Sequence, residues 1–321
     1  MSARRPVDNA QDFGKVAVLL GGESSEREIS LITGKAVHEG LRARGVDATA
    51  LDVPNRELID RLREGGFDRV WNALHGGVGE NGALQGLLEC AGIPYTGSGV
   101  LASAVGLDKV RSKQLFEALG IATPSSAILR SEADLESALA RLGLPMAVKP
   151  NAEGSSVGVA KVTRAEDLLT AFRAARRFDS VVLAEQWIDA GGEFTAGVLQ
   201  GEVLPIIRIE AASGFYDYQA KYFSDDTRYL LPSGLTLAQE ASLSEVALKA
   251  FGALGCAGWG RVDLLLDGQG QPLVLEVNTV PGMTHHSLVP MAAAHAGIDF
   301  PELVWRVLET SMQHEEDARD G

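Results

Sequence analysis

Gly258-Trp259-Gly260-Arg261-Val262-Asp263-Leu264-Leu265-Leu266, then Asp267-Gly268-Gln269-Gly270, then Pro272-Leu273-Val274-Leu275-Glu276-Val277-Asn278, concentrates more chemistry than any other stretch of the chain. Two apolar runs of strand length flank a Gly-rich tetrapeptide, the pattern of an antiparallel hairpin. Period-two alternation puts Arg261, Asp263 and Leu265 on one face of the first strand, and Glu276 with Asn278 on one face of the second. A turn centred on Gly268-Gln269 sets Leu266 opposite Gln271 and Arg261 opposite Glu276, gathering the four polar residues on one side. A slip of one residue would separate them. Two carboxylates and an amide oxygen make a partial oxygen cage suited to Mg²⁺, which completes its shell with water and substrate phosphates. A bridging carboxylate can hold two such ions. The competing reading is a plain hairpin with one buried face and one solvated face carrying cross-strand ion pairs.

Upstream, Leu144-Pro145-Met146-Ala147-Val148-Lys149-Pro150 runs into Asn151-Ala152-Glu153-Gly154-Ser155-Ser156-Val157-Gly158. A lysine closing an apolar strand before a Gly/Ser loop fits a phosphate cradle, with backbone N–H groups and hydroxyls as donors and an ammonium as point charge. The alternative is a solvent-facing lysine and an ordinary turn. Gly34-Lys35 is followed by Ala36, so no Walker motif is present.

The first hundred residues alternate strand and helix patterns. Lys15–Leu20 reads as a buried strand, and Glu26 to Arg44 as a helix with Ile29, Ile32, Ala36, Val37 and Leu41 along one stripe. Such alternation implies a parallel sheet with binding loops at the carboxyl ends of its strands. Gly21–Glu28 and His75–Glu80 fall there. The first presents a carboxylate that suits a substrate ammonium, although a Glu at a helix start is also explained by the helix dipole. His75 is a candidate for a substrate carboxylate, with Glu80 orienting it. Gly21-Gly22 fails the G-x-G-x-x-G spacing of a dinucleotide site. Ser213 to Asp226 is a long polar, Tyr-rich loop, and loops of that length inside compact domains are functional lids or disordered segments.

The chain has 321 residues, with 29 Lys+Arg against 43 Asp+Glu and a net charge of −14. That balance does not suit a nucleic-acid binder or a protein drawn to anionic membranes, while leaving room for a local basic cleft. Hydrophobic content of 45% and charged content of 22% are those of a globular chain with a sizeable core. Cys90 and Cys256 are far apart and in no metal-ligand spacing, which fits a reduced, cytoplasmic protein. No signal peptide or membrane span is expected.

In order along the chain, these runs closely resemble the D-alanine–D-alanine ligases of the ATP-grasp superfamily. The matching motifs are Leu19-Leu20-Gly21-Gly22 with Glu26-Arg27-Glu28, Leu74-His75-Gly76 with Glu80, and Pro94-Tyr95-Thr96-Gly97-Ser98-Gly99 with Asp108-Lys109. They continue through Val148-Lys149-Pro150 with Glu153 to Gly158, Phe215-Tyr216-Asp217-Tyr218 with Lys221-Tyr222, the hairpin, and Pro281-Gly282-Met283-Thr284 with Ser287. The resemblance implies an α/β fold of three domains: an N-terminal Rossmann-like parallel-sheet domain (1–108), and two α+β domains (109–190 and 191–321) sandwiching ATP, the last with a lid loop at 213–226.

It also implies roles. Lys109 and Lys149 would bind ATP phosphates, Glu185 with Trp187 and Ile188 the base, Glu193 the ribose, and Lys221 the γ-phosphate. Asp263, Glu276 and Asn278 would hold two Mg²⁺ (or Mn²⁺) ions. Glu26, Ser155 and Tyr222 would form a hydrogen-bonded set beside the substrates, with Glu26 taking the first D-alanine's ammonium. Ser287 and Leu288 would receive the second D-alanine, and Arg261 with the Gly282 N–H the tetrahedral oxyanion. Tyr222, rather than phenylalanine, implies dipeptide over depsipeptide formation. A homodimer is expected on the same ground. His285, Val280 and Gln186 depart from the pattern. The rivals are another ATP-grasp carboxylate–amine ligase and a non-catalytic nucleotide- or amino-acid-binding protein.

Overall fold

The computed structural model describes residues 6–154, 158–189, 191–210, 227–284 and 286–312. β1 (Lys15–Leu19) is a short apolar run with four of its five residues buried, as a central parallel strand requires. α1 (Arg27–Ala43) leads to β2 (Asp47–Leu51), and α2 (Leu58–Gly65) to β3 (Arg69–Asn72). The three strands are parallel in the order β2-β1-β3. α3 (Ala83–Ala91) and α4 (Val100–Leu107) follow.

The stripe predicted along α1 is corrected on two of its members: Ile32 is 54% exposed, and Ala36 is only partly buried. The buried face carries Ile29, Val37 and Leu41 together with small residues, among them Ser30, Thr33, Gly34 and Gly40. The reason is close packing. A Cβ at Gly34 would lie 2.2 Å from the Leu20 side chain, and one at Gly40 would lie 3.0 Å from Val304.

α5 (Lys109–Ala118) opens with Asp108 as its cap, accepting from Arg111 N at 2.9 Å. β4 (Ser126–Leu129), α6 (Leu135–Leu142), β5 (Met146–Pro150), β6 (Ala160–Val162), α7 (Leu168–Ala175) and β7 (Val182–Gln186) come next. Their strands form an antiparallel sheet in the order β4-β7-β5-β6, and residues of both helices share its apolar core.

The third group comprises β8 (Glu193–Leu199), β9 (Glu202–Val203), β10 (Ile207–Glu210), β11 (Arg228–Leu230), α8 (Leu237–Ala253), β12 (Trp259–Leu266), β13 (Pro272–Asn278), α9 (Leu288–His295) and α10 (Phe300–Glu309). The strand order is β11-β10-β8-β12-β13, with β9 pairing on β8. α8 packs Leu243, Ala247, Ala250 and Phe251 against Val262, Leu264, Val274 and Val277. On a separate core, Leu199 and Trp259 join Leu303, Val304 and Trp305 of α10 and Phe13, Val16 and Trp71 from the start of the chain. The two ends of the sequence therefore share one apolar core, which fixes the β1–β3 sheet against the hairpin strands.

Candidate active site

The hairpin forms, but in another register. Leu266 pairs with Pro272 across a longer turn, in which Asp267 Oδ1 accepts from the N–H groups of Gln269 and Gln271 at 2.8 Å each. Continued evenly from there, the ladder would set Asp263 opposite Leu275 and turn Glu276 to the far face. A bulge between Asp263 and Leu264 prevents this: Leu264 pairs with Val274 and Asp263 with Glu276, leaving Leu275 as the extra residue. The predicted Arg261–Glu276 pairing is thus corrected to Asp263–Glu276 and Arg261–Asn278. The four polar side chains still share one face, opposite the core-facing Val262, Leu264 and Val277.

Arg261 grips Asp263 with a two-pronged contact, Nε to Oδ1 at 2.8 Å and Nη2 to Oδ2 at 2.7 Å. Thr195 of β8 donates to Asp263 Oδ1 at 2.7 Å. Glu276 Oε2 lies 3.3 Å from Lys109 Nζ, which also donates to Glu153 O at 2.8 Å. Asn278 Oδ1 accepts from Val280 N at 3.0 Å. Among the described residues no group of three or more His, Cys, Asp or Glu side chains gathers at metal-holding distance. A divalent ion here would rest on two carboxylates and an amide oxygen, hard donors that fit Mg²⁺ with phosphate and water completing the shell.

Arg261, Glu276 and Asn278 of this face open on a cleft also lined by Glu80, Lys109, Gly154, Gly282, Ser287 and Leu288. Ser287 Oγ accepts from Thr284 N at 2.9 Å, and a Cβ at Gly282 would lie 2.9 Å from the same oxygen. Glu26 is 6% exposed. It lies close to two glycine loops: a Cβ at Gly76 would lie 2.7 Å from its Oε2, and one at Gly154 would lie 2.5 Å away. Those two glycines leave room for the carboxylate. Glu153 is pushed above the usual carboxyl range by burial, then by the nearby Asp179, with Lys109 and Ser25 opposing.

His75 lies in a second cavity with Gly21, Gly22 and Ser24. Its Nε2 is 3.0 Å from Thr33 Oγ1, and its Nδ1 is 3.7 Å from Glu80 Oε1. Thr33 Oγ1 also accepts from Met283 N at 3.4 Å, so one buried hydroxyl ties His75 to the Gly282 turn. Sequence reasoning passed over Thr33, since a threonine on a helix carries no signal of its own.

On the central sheet, Glu185 of β7 is buried between Lys149 of β5, with which it pairs through Oε2, and Lys113 of α5, 2.6 Å from Oε1. Burial pushes the Glu185 carboxyl up, but the two ammoniums together hold it below its ordinary range. Lys113 was not among the expected site residues. Trp187 continues from the end of β7, its N–H donating to Pro145 O at 3.1 Å and its ring lying 4.1 Å beneath Lys161 Nζ. Ile188 follows it, and Glu193 begins β8, paired with Leu265. Ser155, Lys221, Tyr222 and the loop 213–226 lie outside the described residues.

A parallel-sheet unit, a lysine-bearing antiparallel sheet and a carboxylate hairpin converging through Lys109 and Gly154 on one cleft define an ATP-grasp ligase. The family model described as "D-ala D-ala ligase C-terminus" matches residues 115–309, and that described as "D-ala D-ala ligase N-terminus" matches residues 53–98. The D-alanine–D-alanine ligase of Ectopseudomonas mendocina (strain ymp) is 54% identical over 301 residues, 94% of this chain and 96% of the relative. That of Aromatoleum aromaticum (strain DSM 19018 / LMG 30748 / EbN1) is 56% identical over 297 residues, 92% and 96% of the two chains. Among solved structures, the D-alanine–D-alanine ligase of Bacillus anthracis complexed with ATP superposes with a TM-score of 0.82 at 33% identity, covering 96% of this chain and 99% of that one. VanG D-Ala:D-Ser ligase from Enterococcus faecalis gives a TM-score of 0.79 at 29% identity, covering 92% and 99%. The chain belongs to the D-alanine–D-alanine ligase family.

Proposed function

We propose that this enzyme joins two D-alanines at the expense of ATP through a D-alanyl phosphate, supplying the dipeptide for cell-wall peptidoglycan. The first D-alanine's carboxylate attacks the γ-phosphoryl group, releasing ADP and leaving a mixed anhydride. The second D-alanine's amine attacks that carbonyl, inorganic phosphate departs, and a proton is lost from the nitrogen. Glu26 holds the first ammonium, with His75 nearby and Ser155 and Tyr222 completing the set. Ser287 and Leu288 seat the second substrate. Arg261 and the Gly282 N–H receive the oxyanion, where such donors act at no cost of reorganisation. Lys109, Lys149 and Lys221 address the phosphates, while Glu185, Trp187, Ile188 and Glu193 address the nucleoside. Asp263, Glu276 and Asn278 would hold two Mg²⁺ (or Mn²⁺) ions, which when bound neutralise the charge spreading over the transferring phosphoryl group.

The observation that carries this reading is the pairing of Asp263 with Glu276 across the hairpin, with Glu276, Arg261 and Lys109 on the cleft that Gly282 and Ser287 also line. Incubation with ATP, Mg²⁺ and D-alanine should release ADP and D-alanyl-D-alanine in equal amounts. D-Serine or D-lactate competing for the second position should leave the dipeptide as main product at neutral pH. Mostly mixed product would move the specificity elsewhere, and ADP without dipeptide would reject the reading. We assign the three domains at 1–108, 109–190 and 191–321, a homodimer, and a cytoplasmic location from family resemblance. Among the described residues no helix is long and apolar enough to cross a membrane.

A further inference from the structure

Lys113 is 2% exposed and has no part in the scheme above. A lysine is almost never so deeply buried unless it is paired. Its Nζ lies 2.6 Å from Glu185 Oε1 and also donates to Thr123 Oγ1, whose own hydrogen goes to Val274 O at 2.7 Å. Val274 is on β13, the strand that ends in Glu276 and Asn278. The other Glu185 oxygen is taken by Lys149. One carboxylate thus stands between two ammoniums, and the two are placed differently. The Lys149 side chain is 10% exposed on the strand leading to the Gly154 loop, whereas that of Lys113 is sealed at 2%. Glu117 also acts on Lys113, but from the exposed face of α5, where water screens it.

Burial draws the Lys113 ammonium below the ordinary lysine range, with Glu185 opposing and Lys149 adding to the shift; with Lys113 protonated, two cations and one anion leave one positive charge in this cluster. We propose that Lys113 is a positioning residue of the nucleotide site: by compensating Glu185 from inside the core, it leaves the Lys149 ammonium electrostatically available to a polyphosphate. Without Lys113, Glu185 and Lys149 close as a neutral pair, and the phosphates meet a lysine whose charge is already balanced. This inference rests on the assignment of Lys149 to the phosphates. It differs from a purely structural role, in which Lys113 only makes burial of Glu185 tolerable. A structural role supports every part of the nucleotide alike, whereas a charge role separates phosphate from nucleoside.

The test measures the affinity of the full-length protein for Mg·ADP and for adenosine by titration calorimetry. K113M should weaken ADP by about tenfold or more and adenosine by less than about twofold, the difference expected for one unit charge felt through a protein-like dielectric. K113M/E185Q, which removes the opposing charge as well, should restore the preference for ADP over adenosine. Equal losses for both ligands in K113M, or no restoration in the double variant, would overturn the inference. If K113M does not fold, the comparison moves to E185Q against K113M/E185Q. E185Q retains both ammoniums and should then show the larger ADP preference, and equal preferences overturn the inference. Wild-type protein binding ADP no better than adenosine would instead remove Lys149 from the phosphates, a separate failure.

Discussion

Arg261→Ala separates two functions of one side chain. Arg261 and Asp263 are 13% and 10% exposed and meet through two hydrogen bonds of 2.8 and 2.7 Å, so the pair is in the buried regime and not the solvent-screened one. Removing one partner of a buried pair costs on the order of 3–5 kcal/mol because a charge is left uncompensated. Asp263 retains the Thr195 hydroxyl at 2.7 Å, which places the expected loss near about 3 kcal/mol, the lower end of that range. That is a large fraction of a typical folding stability of roughly 5–15 kcal/mol, and it should appear as a clear drop in the melting temperature. Loss of an oxyanion donor lowers kcat by about 10²–10³ independently. ADP release at saturating ATP and D-alanine, assayed well below the variant's melting temperature, reads the second effect. Calorimetry with ATP should show binding retained. Arg261→Lys keeps the charge but not the planar fork, so it should recover more stability than turnover. A folded Arg261→Ala protein with undiminished turnover would refute the assignment of Arg261 to the transition state.

Gly154→Ala needs no unusual backbone angle, yet its Cβ would stand 2.5 Å from Glu26 Oε2. Displacing that carboxylate should raise KM for D-alanine on the order of tenfold, with an unchanged melting curve; an unchanged KM would show that Glu26 does not hold the first substrate. Thr33→Val removes the hydroxyl between His75 and Met283. The loss of stability should be about 1–3 kcal/mol, with slower turnover and unaltered ATP affinity, and an intact rate would disconnect this hydroxyl from catalysis. Glu153 has its carboxyl raised on folding by burial and by Asp179. A raised carboxyl takes up a proton on folding, so its contribution is full below the ordinary value and is lost as pH rises through the folded one. Glu153→Gln should therefore be more stable than wild type near neutrality and lose that advantage below about pH 4.3. Melting curves of the two that stay parallel from acid to neutral pH would contradict the shift.

The polar face of the hairpin was legible because alternation along a strand is local, and Arg261, Asp263, Glu276 and Asn278 obey it. Their partners were not, because register depends on the turn and the bulge together. The Asp267 carboxylate capping Gln269 and Gln271 lengthens the turn by one residue, and Leu275 adds one more. Each change alone would invert the faces, and together they cancel. An aspartate opening a Gly-rich turn was the available signal for the first change. Nothing in the order Val274-Leu275-Glu276 announced the second. The α1 face was misread for a nonlocal reason: Gly34 and Gly40 face Leu20 and Val304, contacts set by the approach of β1's end and of α10. Helix α10 itself went unanticipated, although Asp299 caps it at Glu302 N and Leu303, Val304, Val307 and Leu308 form its buried stripe. Lys113 reads as one more lysine on a polar helix until α5, β5 and β7 are brought together.

The same assembly explains how a chain of net charge −14 presents a cleft to anions. Each described cation of the site is already matched to a carboxylate: Lys109 to Glu276, Lys113 and Lys149 to the shared Glu185, and Arg261 to Asp263. Within these ion pairs four cations meet three carboxylates, and each cation is fixed in place by the group that opposes it, while Glu26 and Glu80 add two more buried carboxyl groups to the site. Long lysine and arginine side chains left unpaired in water would sample many rotamers and lose entropy on meeting a ligand. Paired in advance, they meet a phosphate or an oxyanion already aimed. The acidic residues of the cleft are therefore part of the anion site, and removing one should loosen the aim of its cation even as it raises the local positive charge.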